Sequence, residues 1–275
     1  MVLLRGKAMI ALKDLKRLAG RLTRMRWVVS RFWATITETE HHAKDVLAGR
    51  KPRPVGMRGG DKLWLVAEKR VERPLKWLEC FWGSLHSGFE RHFEDSLPAS
   101  SEEITIDASP WGLGGVLEHS RSGTTIEWFS SMLTPADEAR FGHTIGEAAG
   151  QTTWEALALL MAVRAWAKFL VNKKVQMKLR GDNIGALRLA MKLASSHKAL
   201  NGIGAELALT LEVNGMQEIL TSHLPGRLNV KADTLSRVGS PKGPKSVPEE
   251  FRHIKERKLP IRDNKFFVAW DFAVN

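Results

Sequence analysis

Between residues 104 and 238 the hydrophobic period switches from two to about 3.6 and back, and this alternation narrows the folds open to the chain more than any other feature. Ile104-Thr-Ile-Asp-Ala108 and Thr124-Thr-Ile-Glu-Trp-Phe129 are β-branched and alternate as strands do, with the glycine-rich Gly112-Leu-Gly-Gly115 between them. A long apolar helix is predicted from about Thr152 to Val171, then a strand from Val175 to Arg180 and a helix from Asn183. A further helix around Ala199 to Val213, a strand from Gln217 to Ser222 and a closing helix from Asn229 to Val238 complete the pattern, with Gly239 in the place of a C′ residue. The order β-β-β-α-β-α-α-β-α predicts an α/β domain with a mixed five-stranded sheet flanked by helices. No repeat at 20–50 residues is present, which excludes solenoids and propellers.

Ahead of this domain the pattern is helical. Leu12, Leu15, Leu18, Leu22, Met25 and Val29 recur every three or four residues, while Lys13, Lys16, Arg17, Arg21, Arg24 and Arg26 fall largely off that stripe. Such a helix packs its stripe on the rest of the protein, and its basic face is either solvated or in contact with phosphates. Arg50 to Gly60 gathers prolines and glycines with no apolar period and reads as a turn or linker. From Leu63 to Phe93 a helical pattern returns, with Pro74 suited to a first turn and Leu75, Leu78, Trp82 and Leu85 on one face. The expected organisation is a basic helical region with its linker over 1–60, a second helical region over 61–98, the α/β domain over 99–239, and a basic, flexible tail over 240–275.

Charge and cysteine content limit the function classes. The formal charge is +12, and residues 1–60 hold 14 basic against 4 acidic side chains, whereas residues 103–238 hold 14 against 13. A polyanionic partner is expected, nucleic acid before an anionic membrane, and the N-terminal region is where it would be gripped. One cysteine, Cys80, rules out an intrachain disulfide and cysteine-rich zinc sites. The longest apolar run, Trp154 to Val171, is broken by Glu155, Arg164 and Lys168, and the first residues are too short an apolar stretch for a secretory signal. An intracellular protein, in cytoplasm or nucleus, is the expectation, with no membrane partner. No GxGxxG or P-loop pattern occurs, and Gly112, Gly114 and Gly115 are better explained by the hairpin and close backbone approach.

Four acids stand in apolar surroundings: Asp107 in a strand, Glu155 in the first turn of a helix, Asp182 where a strand hands over to a helix, and Asp233 on the closing helix. Each has a local explanation, as a turn cap, a helix-dipole partner, a helix cap or a solvated side chain. A cluster of all four in a low-dielectric site persists only if charge cancels it, and divalent cations with oxygen ligands do that, Mg²⁺ first.

The motifs around these acids resemble the ribonuclease H domain of retroelement reverse transcriptases, close to gypsy-like and related lineages. The resemblance rests on Ile106-Asp107-Ala-Ser-Pro-Trp-Gly112, Thr153-Trp-Glu155-Ala-Leu-Ala and Gly181-Asp182-Asn183-Ile-Gly-Ala-Leu. Its longest part is His223-Leu-Pro-Gly226-Arg-Leu-Asn229-Val-Lys-Ala232-Asp233-Thr-Leu-Ser236-Arg237. It covers residues 103–238, about half of the chain, and implies an RNase H-like fold. Less specifically, Leu15-Lys-Arg-Leu-Ala-Gly20-Arg-Leu resembles the segment after the polymerase palm, so 1–98 would correspond to thumb and connection. The chain has no tyrosine and no Asp-Asp pair, so no polymerase active site is assigned.

The resemblance implies a metal-dependent endoribonuclease that cleaves the RNA strand of RNA–DNA hybrids with two Mg²⁺ ions, Mn²⁺ being an alternative, within a retrotransposon reverse transcriptase. Asp107 would bridge the ions, Glu155 and Asp182 would hold the one nearer the leaving oxygen, and Asp233 the one that activates water. His223 matches the family's mobile histidine, suited to proton transfer. Asn229 is read as the N-cap of the last helix, orienting Asp233 indirectly. Ser109 and Asn183 are candidates for contacting 2′-hydroxyls, or else turn and helix caps. Arg17, Arg21 and Arg24 are the candidates for gripping the hybrid backbone. The partners would be the hybrid and a polymerase region. The competing reading is a catalytically silent nucleic-acid-binding or assembly module derived from a retroelement polyprotein.

Overall fold

A three-residue strand, β1 (Met9–Ala11), comes first among the described residues and runs into α1 (Leu12–Arg21), followed by α2 (Arg26–Leu47), β2 (Leu65–Ala67) and α3 (Glu68–Gly83). This is a computed structural model, and it describes residues 9–21, 26–50, 64–83, 98–171, 176–214, 216 and 219–270. The chain divides into two compact units, residues 1–84 and 85–275.

In the smaller unit β1 pairs antiparallel with β2, Ile10 opposite Val66. This pairing spans the expected boundary at residue 60 and joins the first expected region to residues 64–83 of the second. Leu12, Leu15, Phe32 and Ile36 are buried together with Val71, Leu75, Leu78 and Phe81 of α3. The single stripe expected over 12–29 is divided between α1 and α2, and Leu22 and Met25 lie outside the described residues. Pro74, expected in a first turn, lies inside α3, and the buried face of that helix runs through Trp77 and Phe81 while Trp82 is exposed.

The larger unit begins with three antiparallel strands, β3 (Ala99–Ala108), β4 (Gly112–His119) and β5 (Thr125–Met132). The helix α4 (Pro135–Phe141) is started by a capping box between Thr134 and Asp137 and stopped by Gly142 at φ 70°. Next come α5 (Gln151–Val171), β6 (Gln176–Gly181), α6 (Ile184–Lys192), α7 (Lys198–Val213), β7 (Leu220–His223), α8 (Val230–Ser236) and β8 (Lys255–Glu256). The strand order is β7-β6-β3-β4-β5-β8, with β6 parallel to β3, β7 parallel to β6 and β8 parallel to β5. The sheet is mixed and flanked by helices, as expected, with a sixth strand where five were foreseen.

Period-2 alternation sorts the sheet into two faces. Ile106, Gly115 and Phe129 share one face, where Phe129 packs on Trp166 of α5 with ring centroids 5.4 Å apart. Asp107, Gly114 and Ser130 share the other, where Ser130 Oγ donates to Leu235 O of α8 at 2.7 Å. The glycines follow from this second contact. A Cβ on Gly114 would lie 2.3 Å from Ala232 O, and one on Gly112 would lie 2.7 Å from Ser236 O, so α8 rests on bare backbone.

The sixth strand belongs to a segment expected to be a flexible tail, and here the structure differs. Phe251 is buried with Val116, Trp128 and Leu235, and Trp128 Nε1 donates to Phe251 O at 3.1 Å. Arg257 pairs with Glu127, and Arg262 forks onto Asp137 at 2.8–3.0 Å. Glu206 accepts from Ala269 N, and Phe267 and Trp270 close on Phe141. The Pro-, Lys- and Gly-rich composition of 240–248 suggested mobility, but the aromatic and cationic anchors beyond it bind the segment down. Among the described residues, no helix is long and apolar enough to cross a membrane.

Candidate active site

The C-terminal end of β3 is where the two faces of the sheet and three separate elements come together. Asp107 is the penultimate residue of β3, Glu155 lies in the first turns of α5, and Asp182 follows the last residue of β6. Their carboxylates each offer an oxygen within 4.8 Å of the other two. Asp107 and Glu155 are buried, and Asp182 is half-buried. β6 lies beside β3 and parallel to it, with Thr105 opposite Arg180, which brings both strand ends to the same edge of the molecule.

Each buried acid is held by neighbouring donors. Asp107 accepts from Ser236 Oγ at 2.8 Å and from Asn229 Nδ2 at 3.2 Å. Glu155 Oε1 accepts from Gln151 Nε2 at 3.1 Å, one helical turn earlier. Burial raises the Asp107 carboxyl to about 7; the Ser236 hydrogen bond opposes that rise, and the charges of Asp233 and Asp182 add to it. Burial also lifts Glu155 well above the usual carboxylate range, and Asp107 and Asp182 push it further. Glu155 Oε2 is buried with no hydrogen-bond partner among the described residues. A buried carboxylate oxygen lacking a donor, beside two more carboxylates, is a donor set that fits a hard divalent cation.

The fourth acid stands at the rim. Asp233 is outside the 4.8 Å group, and Arg237 one turn further along α8 donates from Nε and Nη2 to Asp233 Oδ1 at 2.8 and 2.6 Å. His223 ends β7 directly opposite Gly181, one residue before Asp182, and is exposed. The loop after it turns back toward the acids. Leu224 N donates to Gly181 O at 2.9 Å, and a Cβ on Gly226 would lie 2.9 Å from Asp182 Oδ2.

Ser109 is buried, and its hydroxyl donates to Ser236 O at 2.7 Å while accepting from Gly112 N at 3.0 Å. It therefore ties the β3–β4 turn to the end of α8, and the turn reading describes it. Asn183 caps α6, its side chain accepting from Ala186 N at 3.1 Å. Asn229, expected as the cap of α8, makes no side-chain cap bond; its Nδ2 donates to Ile106 O at 2.9 Å and to Asp107. It positions Asp107 and not Asp233, because the α8 start is packed against β3. Arg17 is exposed on α1 and lies 3.6 Å from Asp14. Arg21 ends α1, and Arg24 lies outside the described residues. Ser236 and Gln151 were not singled out from the sequence. Their only signal is helical spacing, Ser236 three residues after Asp233 and Gln151 four before Glu155.

No protein-family model and no curated protein matches the chain. Among solved structures it is similar to the crystal structure of RNase H1 from the halophilic archaeon Halobacterium salinarum NRC-1, with 20% identity and a TM-score of 0.37 over 49% of this chain and 92% of that one. It is also similar to the foamy viral protease-reverse transcriptase in complex with dsDNA, with 12% identity and a TM-score of 0.27 over 80% of this chain and 42% of that one. A second structure of that viral protein with dsDNA gives 13% identity and a TM-score of 0.26 over 78% of this chain and 34% of that one. By its own sheet order the larger unit is a mixed α/β fold, with three acids gathered where its central strand β3 ends.

Proposed function

We propose that the chain is a metal-dependent endoribonuclease that hydrolyses the RNA strand of RNA–DNA hybrids, as the RNase H part of a retrotransposon reverse transcriptase. The observation that carries this reading is the meeting of Asp107, Glu155 and Asp182 from three elements, with Glu155 Oε2 buried and lacking a donor among the described residues. Asp107, Glu155, Asp182 and Asp233 would hold two Mg²⁺, or Mn²⁺ in its place. Bound cations of this kind lower the pKa of water and neutralise charge on the attacking and leaving oxygens.

The protein's own groups do the rest. Ser236 and Asn229 fix the Asp107 carboxylate from the α8 side, and Gln151 fixes Glu155, so the acids are oriented before substrate arrives. His223, exposed beside Asp182 on the neighbouring strand, takes up or releases a proton at the rim. Arg17, Arg21 and Arg24 of the basic N-terminal region grip phosphates. Asn183 and Ser109 remain the candidates for a 2′-hydroxyl contact, each of which would have to share a side chain already engaged within the fold, Asn183 with Ala186 N and Thr152 and Ser109 with Ser236 O.

The test is cleavage of a hybrid labelled on its RNA strand, with Mg²⁺ or with chelator. Asp182→Asn is expected to reduce cleavage by more than about 100-fold, roughly 2.7 kcal/mol of transition-state stabilisation, while the circular dichroism spectrum is retained. Undiminished cleavage by that variant would remove the assigned site. One observation favours the second reading, a silent nucleic-acid-binding module: Arg237 already neutralises Asp233. Tight hybrid binding without metal uptake or cleavage would establish that reading instead.

A further inference from the structure

The Asp233–Arg237 pair differs in kind from the Asp137–Arg262 fork of this unit. Arg262 and Asp137 are both sealed, with side chains 6% and 1% exposed, whereas Arg237 and Asp233 are 49% and 38% exposed. A sealed pair is locked by desolvation, and an open one exchanges with solvent ions because water screens it. Both nitrogens of the Arg237 fork fall on a single oxygen, Oδ1.

The position of Arg237 gives the open pair a meaning. Asp233 and Ser236 lie in the last turn of α8 and Arg237 is its C-cap residue, at i, i+3 and i+4. Ser236 holds Asp107, and Arg237 holds Asp233. The guanidinium charge also acts on Asp107, where it opposes the effect of burial. Arg237 is thus a cation supplied by the chain itself, bound to the acid at the rim and felt by one of the three clustered acids.

We infer, on the metal-site reading given above, that Arg237 is a positioning residue acting as a tethered counter-ion, which occupies Asp233 until a divalent cation displaces it. The acids then load in two stages, first at Asp107, Glu155 and Asp182, and afterwards at Asp233 in competition with the guanidinium. The second stage is weak by construction, so the fully loaded site forms only at higher divalent-cation concentration or when substrate phosphates add to the attraction. The device sets the divalent-cation concentration at which activity rises by the weak second stage and not by the first-bound ion.

Calorimetric titration of the full chain with MnCl₂ at fixed ionic strength tests this without reference to cleavage. The wild type is expected to show a tight and a weak phase. Arg237→Gln, which keeps hydrogen-bonding groups but no charge, is expected to tighten the weak phase by about tenfold and to leave the tight phase within about twofold. Arg237→Lys, which retains a cation at the same turn, is expected to keep the weak phase weak, a distinction that a merely structural role would not produce. Thermal unfolding of each variant verifies that it folds, and the Lys variant carries the comparison if Gln does not. A weak phase indifferent to the charge at residue 237, with the tight phase intact, overturns this inference alone. A wild type that binds no Mn²⁺ overturns the metal-site reading, and this inference with it.

Discussion

Asp107 faces two opposed demands, since burial resists its charge while a divalent cation requires it. Its carboxyl is raised from an ordinary value near 3.8 to about 7. The unfolded chain ionises this group first as pH rises. Folding therefore loses stability between about pH 4 and pH 7, and the loss is complete above that range. A bound cation reverses the effect by favouring the ionised form. Thermal melts should accordingly show a larger Mg²⁺-induced rise in Tm at pH 8 than at pH 5. In chelator at pH 8, Asp107→Asn should melt above the wild type. A gain of about 1–2 kcal/mol would appear as roughly 2–8 °C, and the Mg²⁺-induced rise should vanish in that variant. An unchanged Mg²⁺ response in Asp107→Asn would show that the ion binds elsewhere.

At the scale of elements, a strand and a helix meet in the site without room for a side chain between them. α8 approaches β4 over Gly112 and Gly114, and this approach places Ser236 and Asn229 on Asp107. Gly114→Ala would set a methyl 2.3 Å from Ala232 O and 2.5 Å from Ser236 N, both backbone atoms that cannot rotate away. The expected outcome is a loss of about 1–3 kcal/mol in stability together with a fall in hybrid cleavage larger than that loss explains, measured by urea unfolding and by turnover at saturating Mg²⁺. Cleavage at the wild-type rate would mean that the contact does not position Asp107. The acids themselves were legible because each interrupts a regular period: Asp107 an alternating strand, Glu155 an apolar helix, Asp182 the junction of strand and helix. Their supports were not. Ser236, Gln151 and Asn229 are small polar residues whose local explanations as caps or solvated side chains are equally good, and only tertiary contact decides among them. Pro74 misled for a related reason, because its preference for a first turn is a weak prior that the packing of α3 overrides.

For the whole molecule, residues 251–270 complete the larger unit by bringing cations and aromatic side chains to acids already buried in it. Burial alone would raise the Glu127 carboxyl, but Lys255, Trp166 and Arg257 hold it below the usual range. Asp137 receives Arg262, and Glu206 receives Arg164 and the Ala269 amide. Arg262→Met should cost about 3–5 kcal/mol in urea unfolding, because it strands a buried carboxylate. Lys255→Met, at a side chain 72% exposed, should cost less than about 1 kcal/mol. Equal costs for the two would show that the segment is held by its aromatic residues and not by its charges. The sequence hid this clasp because proline, lysine and glycine over 240–248 imitate a linker, and the partners of Arg257 and Arg262 lie more than a hundred residues upstream.

That separation also orders events in time. Glu127 and Asp137 are made 130 and 125 residues before the arginines that neutralise them, so during synthesis β5 and α4 emerge with acids they cannot yet bury in ionised form. The sheet cannot close over its own β5 edge until residues 255–262 have cleared the ribosome. The larger unit therefore completes its β5 edge only once residues 255–262 have been made.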